Sequence, residues 1–335
     1  MQEFLEKLKA GESLTRDEAF EAMMQIMSGK VEESELEEYL VLLADKSETA
    51  EEIAGSAAAM RENSRKIEPA VENLVDLVGT GGDHSNSFNI STTAAFVVAG
   101  ADVPVAKHGN KAVSSKSGAA NVLESLGIKI DLEPEQVKAA IEQIGIGFLF
   151  APVFHPAMKY AAPVRAKLGR KTIFNLLGPL TNPANAKHLL LGVADPQLVP
   201  TFAEVLKQNG ATHALVAHGS SLDELTTAGE NLVLELKNGA IEKLEIDLEK
   251  LGIKTTEVEN LKGGEPAENA EICRKILAGE NSPKSEIVVL NAGAAIFAAD
   301  RADSLAAGIA QAREAIESGA AEKKLDDLIE FTNQV

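Results

Sequence analysis

Residues 74–83 read Leu-Val-Asp-Leu-Val-Gly-Thr-Gly-Gly-Asp, an apolar run that leads directly into a glycine loop. A short apolar run bounded by glycine is typical of a buried strand. The loop is followed by Asn89-Ile-Ser-Thr92, which opens a helix predicted over 93–99. Together these segments predict the strand–loop–helix unit of an α/β protein.

Strand and helix signals alternate after this unit. Short apolar runs and amphipathic stretches predict strands at 103–106, 189–193, 214–217 and 287–290, and helices at 117–126 and 202–208. Residues 241–259 indicate peripheral strands and turns, and residues 302–335 are predicted as amphipathic helix. This alternation predicts a mainly parallel central sheet, whose ligands bind at the carboxyl ends of the strands.

The stretch before residue 69 carries helix signals and no strand signal. Thr15-Arg-Asp-Glu18 and Thr49-Ala-Glu-Glu52 match the capping box, in which a threonine and a glutamate three residues later satisfy the first N–H groups of a helix. The sequence therefore predicts a small all-helical domain, residues 1–70, and a large α/β domain, residues 71–335.

Composition limits the class of protein. The 335 residues are 45% hydrophobic and 25% charged, as in an ordinary globular chain, and the net charge of −19 disfavours binding to the nucleic-acid backbone. The single cysteine cannot form an intramolecular disulfide. The N-terminus has no targeting pattern, and the apolar runs are shorter than the roughly 18 residues of a membrane span. We expect a cytoplasmic protein that binds neither nucleic acid nor membrane.

The glycine loop is the first candidate for chemistry. Glycines let backbone N–H groups approach an anion, and a helix N-terminus adds unpaired donors, so residues 79–92 suit a phosphate group. The loop matches neither of the two common phosphate-binding patterns. A tight turn with Asn89 or Ser91 capping the helix explains the same residues, and the two interpretations are equally well supported by this segment alone.

Residues 107–116 read Lys-His-Gly-Asn-Lys-Ala-Val-Ser-Ser-Lys, with three lysines and no acid until Glu124. In so acidic a chain this local excess of positive charge favours an anion-binding loop over a solvated basic loop. Asp223 and Glu224 follow the strand at 214–217 and suit Mg²⁺, which takes one or two carboxylates plus substrate phosphates. The alternative for Ser221-Leu-Asp-Glu224 is a capping box.

The fourth candidate segment, residues 155–183, contains Arg165 on a helix-like stretch closed by Gly169. Arginine can hold a carboxylate with two parallel hydrogen bonds, although the spacing alone favours an exposed arginine on a helix face. The histidines at 84, 188, 213 and 218 show no metal-ligand spacing.

In combination, the segments GTGGD, NIST, KHGNKAVSS, HPAMK, RKTIFNLLGPLTNP and LDE resemble those of the anthranilate phosphoribosyltransferases over essentially the whole chain. The resemblance implies transfer of 5-phosphoribose from phosphoribosyl pyrophosphate (PRPP) to the amine of anthranilate, the second step of tryptophan biosynthesis from chorismate. It also implies a small helical domain joined to the α/β domain by a hinge, with a helical segment at about 160–185, and a homodimer formed through the helical domain.

The resemblance also assigns site residues. It implies PRPP binding by Gly79, Gly82, Asp83, Ser87, Asn89, Ile90, Ser91, Thr92, Lys107, His108, Gly109, Asn110, Lys111, Ala112, Val113, Ser114, Ser115 and Ala119. It implies anthranilate binding by Gly79, Asn110, Arg165, His108, His155 and Pro179, with Arg165 on the carboxylate. It implies two Mg²⁺ ions per monomer, one on Ser91 and the other on Asp223 and Glu224.

The chain departs from the family pattern at several positions. Lys111, Ala119 and Asn121 stand where the family usually has arginine, serine and aspartate, and Ser220-Ser221 replaces a common Asp-Gly. The alternatives are a pyrimidine nucleoside phosphorylase, which shares the fold and a related Lys-His-Gly loop, a transferase with another nitrogen acceptor, and a non-catalytic phosphate-binding homologue. The NIST and LGPLTNP segments favour the transferase.

Overall fold

Alternating apolar side chains on the central strands give the protein one sheet with two buried faces. In the computed structural model, which describes residues 1–111 and 116–335, Leu190 and Leu215 pack on one face while Leu189 and Val216 pack on the other. Successive strand side chains point to opposite faces, so both faces are covered by helices. The α/β class is therefore confirmed, and the strand pairing confirms the mainly parallel sheet.

The sheet has seven strands within the described residues, in the order β3-β2-β1-β4-β5-β6-β7. Strands β1 to β5 pair in parallel, and β6 and β7 are added antiparallel at one edge. The strands are β1 (Val75–Gly79), β2 (Val105–Gly109), β3 (Ile146–Phe150), β4 (His188–Gly192), β5 (His213–Gly219), β6 (Asn231–Lys237) and β7 (Ala240–Lys243).

Helices fall into two groups. The N-terminal helices are α1 (Gln2–Lys9), α2 (Arg16–Met27), α3 (Glu33–Lys46) and α4 (Ala50–Glu62). The others are α5 (Ile90–Gly100), α6 (Ala119–Leu126), α7 (Pro134–Ile144), α8 (Ala151–Phe154), α9 (Ala162–Leu168), α10 (Phe174–Leu177), α11 (Val199–Gln208), α12 (Pro266–Leu277), α13 (Pro283–Ala298), α14 (Leu305–Glu317) and α15 (Ala320–Gln334). Short 3₁₀ helices are Pro156–Tyr160, Gly178–Leu180, Pro196–Leu198 and Val258–Leu261.

One face of the sheet is covered by α5 and α13, which pack on the central strands. The other face carries α11, which contacts β5, β6 and α4 and so connects the N-terminal helices to the sheet. Ala161, Val164, Ile173 and Leu177, from the segment around α9 and α10, are buried in the same apolar core as α1–α4. No helix of the described residues is both long and apolar enough to cross a membrane.

Several sequence predictions are confirmed. Residues before 69 are helical without a strand, and both capping boxes form, with Thr15 and Thr49 accepting from the backbone N–H groups of Glu18 and Glu52. The strand that enters the glycine loop, the strands near 105, 190 and 215, and the edge strand within 241–259 are present.

The prediction of a strand at residues 287–290 is wrong, because these residues lie inside α13. Ser282 and Ser285 cap this helix reciprocally, and Pro283 occupies its first turn. Every residue from Ser285 to Ala298 is buried, so α13 has no polar face and its apolar run lacks the helical period.

Two other element predictions need adjustment. The predicted helix over 302–335 is two helices, α14 and α15, separated at Gly319, whose φ of +76° ends the first one. The helix predicted at 93–99 begins at Ile90, three residues earlier. Strands β3 and β6 were not predicted.

Candidate active site

Candidate residues from three strands meet at the carboxyl edge of the sheet. Gly79 ends β1, Gly109 ends β2, and the loop carrying Asp223 and Glu224 follows β5. Because β1, β2 and β5 run in parallel directions in one sheet, the segments that follow them reach the same edge. This placement accounts for the contacts described below.

The loop after β5 folds across the end of β4 and reaches the loop after β1. The backbone N–H of Gly81 donates to Asp223 Oδ2 at 2.6 Å, and the backbone N–H of Ser91 donates to Glu224 Oε1 at 3.1 Å. A Cβ at Gly79 would overlap the Asp223 carboxylate, and one at Gly192 would overlap the Asp223 backbone. These glycines permit the close approach that places the two carboxylates beside the glycine loop.

The capping-box interpretation of Ser221–Glu224 is wrong, because no helix begins there. Gly219 and Leu222 form an isolated bridge, and the segment 220–230 is an irregular loop. Asp223 and Glu224 are partly buried there. Loss of hydration, together with the neighbouring carboxylates, raises the pKa of both side chains.

Lys107 brings a positive charge to this acidic corner. Its ammonium donates to the carbonyl oxygen of Leu77 at 2.6 Å and to Ser91 Oγ at 3.3 Å. Burial lowers the pKa of Lys107, while the charges of Asp76, Glu224 and Asp223 act in the opposite direction. A lysine, two carboxylates and a serine hydroxyl therefore surround one point at the end of β1.

The remaining residues of the glycine loop play different parts. Gly82 has a φ of +77°, and the Asp83 carboxylate accepts from Ser85. Asn89 is fixed by Ser117 and Asn269 rather than capping α5 with its side chain. The side chains of Ile90 and Thr92 are buried, and the Ile90 N–H already donates to Phe88. Ser87 bridges to Lys262.

The basic loop is described only in part, since Ala112, Val113, Ser114 and Ser115 lie outside the described residues. Asn110 is exposed, and its side-chain oxygen accepts from the N–H of Lys111. The Lys111 ammonium lies 3.0 Å from Glu124 Oε1 on α6. Ala119, the first residue of α6, lies against the end of β2 beside Gly109.

Two buried histidines form a second part of the site. The ring centroids of His108 and His155 are 5.1 Å apart, and His108 Nδ1 is 3.2 Å from the carbonyl oxygen of Gly178, next to the buried Pro179. Burial lowers the pKa of His108 to about 3 and of His155 to about 4. Both rings are therefore neutral near pH 7, and the Nε2 atom of each has no partner among the described residues.

Arg165 lies on α9, where Gly169 ends the helix as predicted. Its guanidinium is 5.1 Å from the centre of the Phe174 ring and is partly buried, and this burial lowers its pKa. Within the described ranges it forms neither an ion pair nor a hydrogen bond. It is therefore a partly buried cation that is available to a carboxylate, and not an exposed arginine on a helix face.

Two supporting residues were missed by the sequence analysis. Asp76, in the middle of β1, accepts from the His108 N–H at 3.2 Å and from Asn182 Nδ2 at 2.7 Å, and Asn182 also donates to Ala106. Burial raises the pKa of the Asp76 carboxyl to about 6. The available signal was a carboxylate within an otherwise apolar strand, which must have a buried partner.

Comparison with known proteins supplies independent information. A model of the "Glycosyl transferase family, a/b domain" matches residues 71–322, and one of the "Glycosyl transferase family, helical bundle domain" matches residues 2–64. The chain is 49% identical over 333 residues to the anthranilate phosphoribosyltransferase of Desulfatibacillum aliphaticivorans, covering 99% of this chain and 98% of the relative. It is 50% identical over 331 residues to that of Petrotoga mobilis, covering 98% and 96%.

Solved structures give the same result. The anthranilate phosphoribosyltransferase of Thermus thermophilus superposes with a TM-score of 0.93 at 45% identity, covering 98% of this chain and 99% of the other. The Saccharomyces cerevisiae enzyme in complex with PRPP and Mg superposes with a TM-score of 0.90 at 27% identity, covering 100% and 98%. The yeast enzyme with 4-fluoroanthranilate superposes with a TM-score of 0.89 at 25% identity, covering 100% and 98%.

Proposed function

This chain belongs to the anthranilate phosphoribosyltransferases, and from that membership we propose how its site residues bind the two substrates. The reaction transfers 5-phosphoribose from PRPP to the amine of anthranilate, gives N-(5-phosphoribosyl)anthranilate and pyrophosphate, and is the second step of tryptophan biosynthesis from chorismate. The enzyme is a Mg²⁺-dependent pentosyltransferase, and a solved relative holds PRPP together with Mg.

PRPP binds, in this proposal, at the carboxyl edge of the sheet. The observation that carries it is the meeting of Lys107, Asp223 and Glu224 at the glycine loop. The other PRPP residues are those predicted from the sequence: Gly79, Gly82, Asp83, Ser87, Asn89, Ile90, Ser91, Thr92, His108, Gly109, Asn110, Lys111, Ala112, Val113, Ser114, Ser115 and Ala119. The buried side chain of Ile90 and its N–H, which already donates to Phe88, limit its part to shaping the loop.

The donor set fits Mg²⁺. Two carboxylates and a hydroxyl are hard oxygen ligands, and the remaining positions suit phosphate oxygens and water. Burial of Asp223 and Glu224 disfavours the charged forms of both side chains, because the carboxylates lose hydration. A cation bound there would stabilise the charged forms. Ser91 would hold one ion, and Asp223 and Glu224 a second. When bound, Mg²⁺ neutralises the charge that develops on the pyrophosphate leaving group.

Anthranilate is placed by Arg165, His108, His155, Pro179, Gly79 and Asn110 in this proposal. Arg165 pairs with the carboxylate, for which its unpaired guanidinium is suited. The two neutral histidines and Pro179 offer uncharged surfaces to the ring. The C1–O bond to pyrophosphate breaks, the amine nitrogen forms the new bond to C1 with inversion, and the amine then loses a proton.

The amine needs no strong base, because an aryl amine is already neutral near pH 7. The chain's own contribution is therefore positioning and electrostatics. Lys107 places a cation by the glycine loop, and Asp76 fixes the backbone of His108 between the two parts of the site.

We also propose the domain division at residue 70, with residues 160–185 completing the helical domain and a hinge joining it to residues 71–335. The burial of Ala161, Val164 and Ile173 among the N-terminal helices supports this division. The proposed assembly is a homodimer through the helical domain, in the cytoplasm. Light scattering after gel filtration tests the dimer, and a monomer at micromolar concentration contradicts it.

The activity is tested by the fluorescence of anthranilate during incubation with PRPP and Mg²⁺. We expect a loss of fluorescence that requires all three components, with parallel incubations lacking each one. A further incubation contains thymidine and inorganic phosphate, the substrates of a pyrimidine nucleoside phosphorylase. Release of thymine without loss of anthranilate would overturn the assignment.

A further inference from the structure

A large cavity lies at the opposite edge of the sheet from the proposed active site. It has a volume of about 900 Å³ and is lined by the end of α4, the linkers 64–74 and 182–187, and the entrances to β4 and β5. Those are the amino ends of parallel strands, whereas the substrates are assigned to the carboxyl ends. None of the residues assigned to the substrates or to Mg²⁺ lines this cavity, although Asn182, which donates to Asp76, does.

Three cations gather at this cavity without an acid to pair with. Arg61 and Lys187 line it, and the Arg16 guanidinium donates to the side-chain oxygen of the lining residue Asn209 at 3.4 Å. Within residues 1–111 and 116–335 none of the three forms an ion pair. In a chain of net charge −19, three unpaired cations around one cavity are an unusual concentration of positive charge.

The surrounding acids do not neutralise these cations. The acids that line the cavity are Glu62 and Glu68; Glu62 pairs with Lys66 at 2.6 Å, and Glu68 is exposed. Burial and the charge of Arg16 lower the pKa of Arg61, and burial and the charge of Arg61 lower the pKa of Lys187. The three cations therefore repel one another in a partly dehydrated space. An anion bound between them would offset this electrostatic repulsion.

Two buried donors at the same place also lack acceptors. Arg16 Nε and Asn209 Nδ2 are both buried, and neither has a hydrogen-bond partner in the described structure. Leaving a buried donor without an acceptor is unfavourable, so such groups normally face water or a ligand. The Lys187 ammonium lies 3.6 Å from the Cβ position of Gly210, which places it at the same turn as Asn209.

We propose that this cavity is a second anion site, which binds a phosphate group on Arg61, Lys187 and Asn209, with Arg16 behind Asn209. A phosphate offers several acceptor oxygens to a guanidinium fork, an ammonium and an amide. Inorganic phosphate and a small organic phosphate share this chemistry. Because Arg61 lies on α4 and Lys187 directly precedes β4, the bound anion connects the N-terminal helices to the sheet.

The test is calorimetric titration of inorganic phosphate into the full-length wild type and the double variant Arg61→Gln/Lys187→Gln. The matched control is Lys275→Gln/Lys323→Gln, which removes the same charge from exposed lysines paired within α12 and α15. We expect the double variant to bind phosphate at least tenfold more weakly at one class of sites, while its KM for PRPP stays within twofold of the control. A crystal soaked in phosphate should show density between Arg61 and Lys187.

Identical isotherms for the double variant and the control overturn the proposal, as does phosphate density confined to the carboxyl edge of the sheet. If the double variant does not fold, the single variants Arg61→Gln and Lys187→Gln carry the same comparison. Titration of ribose 5-phosphate distinguishes the two possible ligands. If ribose 5-phosphate binds and its binding depends on Arg61 and Lys187, the ligand is an organic phosphate. If it does not bind, the ligand is inorganic phosphate. Binding of citrate but of neither phosphate overturns the ligand class.

Discussion

The role of Arg165 can be inferred from the groups that surround its side chain. It lies over the Phe174 ring and has no acid beside it in the described structure, although it is partly buried and its pKa is lowered. Its neighbour Lys167, two residues further along α9, is exposed and pairs with Glu37 at 2.5 Å. The two cations of one helix therefore have different electrostatic surroundings.

Arg165→Gln should raise the KM for anthranilate at least tenfold, because it removes the partner of the substrate carboxylate. The KM for PRPP should change less than threefold, since the proposed phosphate contacts lie elsewhere. Steady-state kinetics with each substrate varied in turn measures both values. Lys167→Gln is the control and should leave both near the wild-type values. An equal rise in KM for both substrates would contradict the assignment of Arg165 to the anthranilate site.

At the scale of elements, Glu52 connects two N-terminal helices. Its buried carboxylate accepts from the N–H of Leu14 at 2.9 Å and of Thr49 at 2.8 Å, and it pairs with Lys46 at 2.8 Å. One side chain thus caps α4 and fixes the loop that precedes α2. The adjacent Glu51 is exposed.

Glu52→Ala should lower the free energy of unfolding by about 3 kcal/mol, because it leaves buried N–H groups and the Lys46 ammonium without their acceptor. Glu51→Ala occupies the same helical turn and should cost less than about 0.5 kcal/mol. Urea unfolding followed by circular dichroism measures both. If both variants lost a similar amount of unfolding free energy, the Glu52 carboxylate would act only through its charge near the N-terminus of α4, and not through its hydrogen bonds.

The same elements show what a sequence pattern can specify. The capping box at Thr49–Glu52 was predictable, because it is local and its partners are three residues apart. The additional contact from Glu52 to Leu14 was not, because it joins residues 38 positions apart. Helix α13 was mistaken for a strand for a related reason: burial on every side is a property of its neighbours, not of its own residues.

The candidate site also combines features that the local sequence indicates with features that depend on tertiary contacts. The glycine loop, Lys107 and the carboxylates at 223–224 were identifiable as separate groups, and their approach depends on Gly79 and Gly192. Nothing in the local sequence indicates that a Cβ at Gly192 would overlap the backbone of Asp223. Asp76 and Asn182 were likewise missed, since they act by fixing other residues and not through a motif.

At the scale of the whole molecule, the neutral pair His108 and His155 makes stability depend on pH. An unfolded histidine titrates near pH 6.5, whereas burial lowers the pKa of His108 to about 3 and of His155 to about 4. Between pH 6.5 and 4 the unfolded chain therefore binds more protons than the folded one. Since stability rises with pH wherever the unfolded state holds more protons, the protein loses stability as the pH falls through this window.

His155→Gln should flatten this dependence. We expect the wild type to lose about 2 kcal/mol more than the variant between pH 8 and pH 5, because the variant has no proton to take up at this position. The free energy of unfolding in urea, measured at four pH values, tests the difference. His84→Gln, which removes an exposed histidine, is the control and should keep the wild-type slope. A slope unchanged in His155→Gln would show that this histidine takes up its proton over the same pH range in the folded and the unfolded chain.

The core shared by α1–α4 and the segment around α9 and α10 has a consequence for how the protein is made. Its two contributions are separated in the chain by about 100 residues, which a ribosome adds in roughly 5–20 s. Throughout that interval the first four helices have been synthesised, whereas Val164, Ile173 and Leu177 have not. Until then the N-terminal helices lack the apolar side chains that complete their core, so this core closes only after the segment around α9 and α10 has been made.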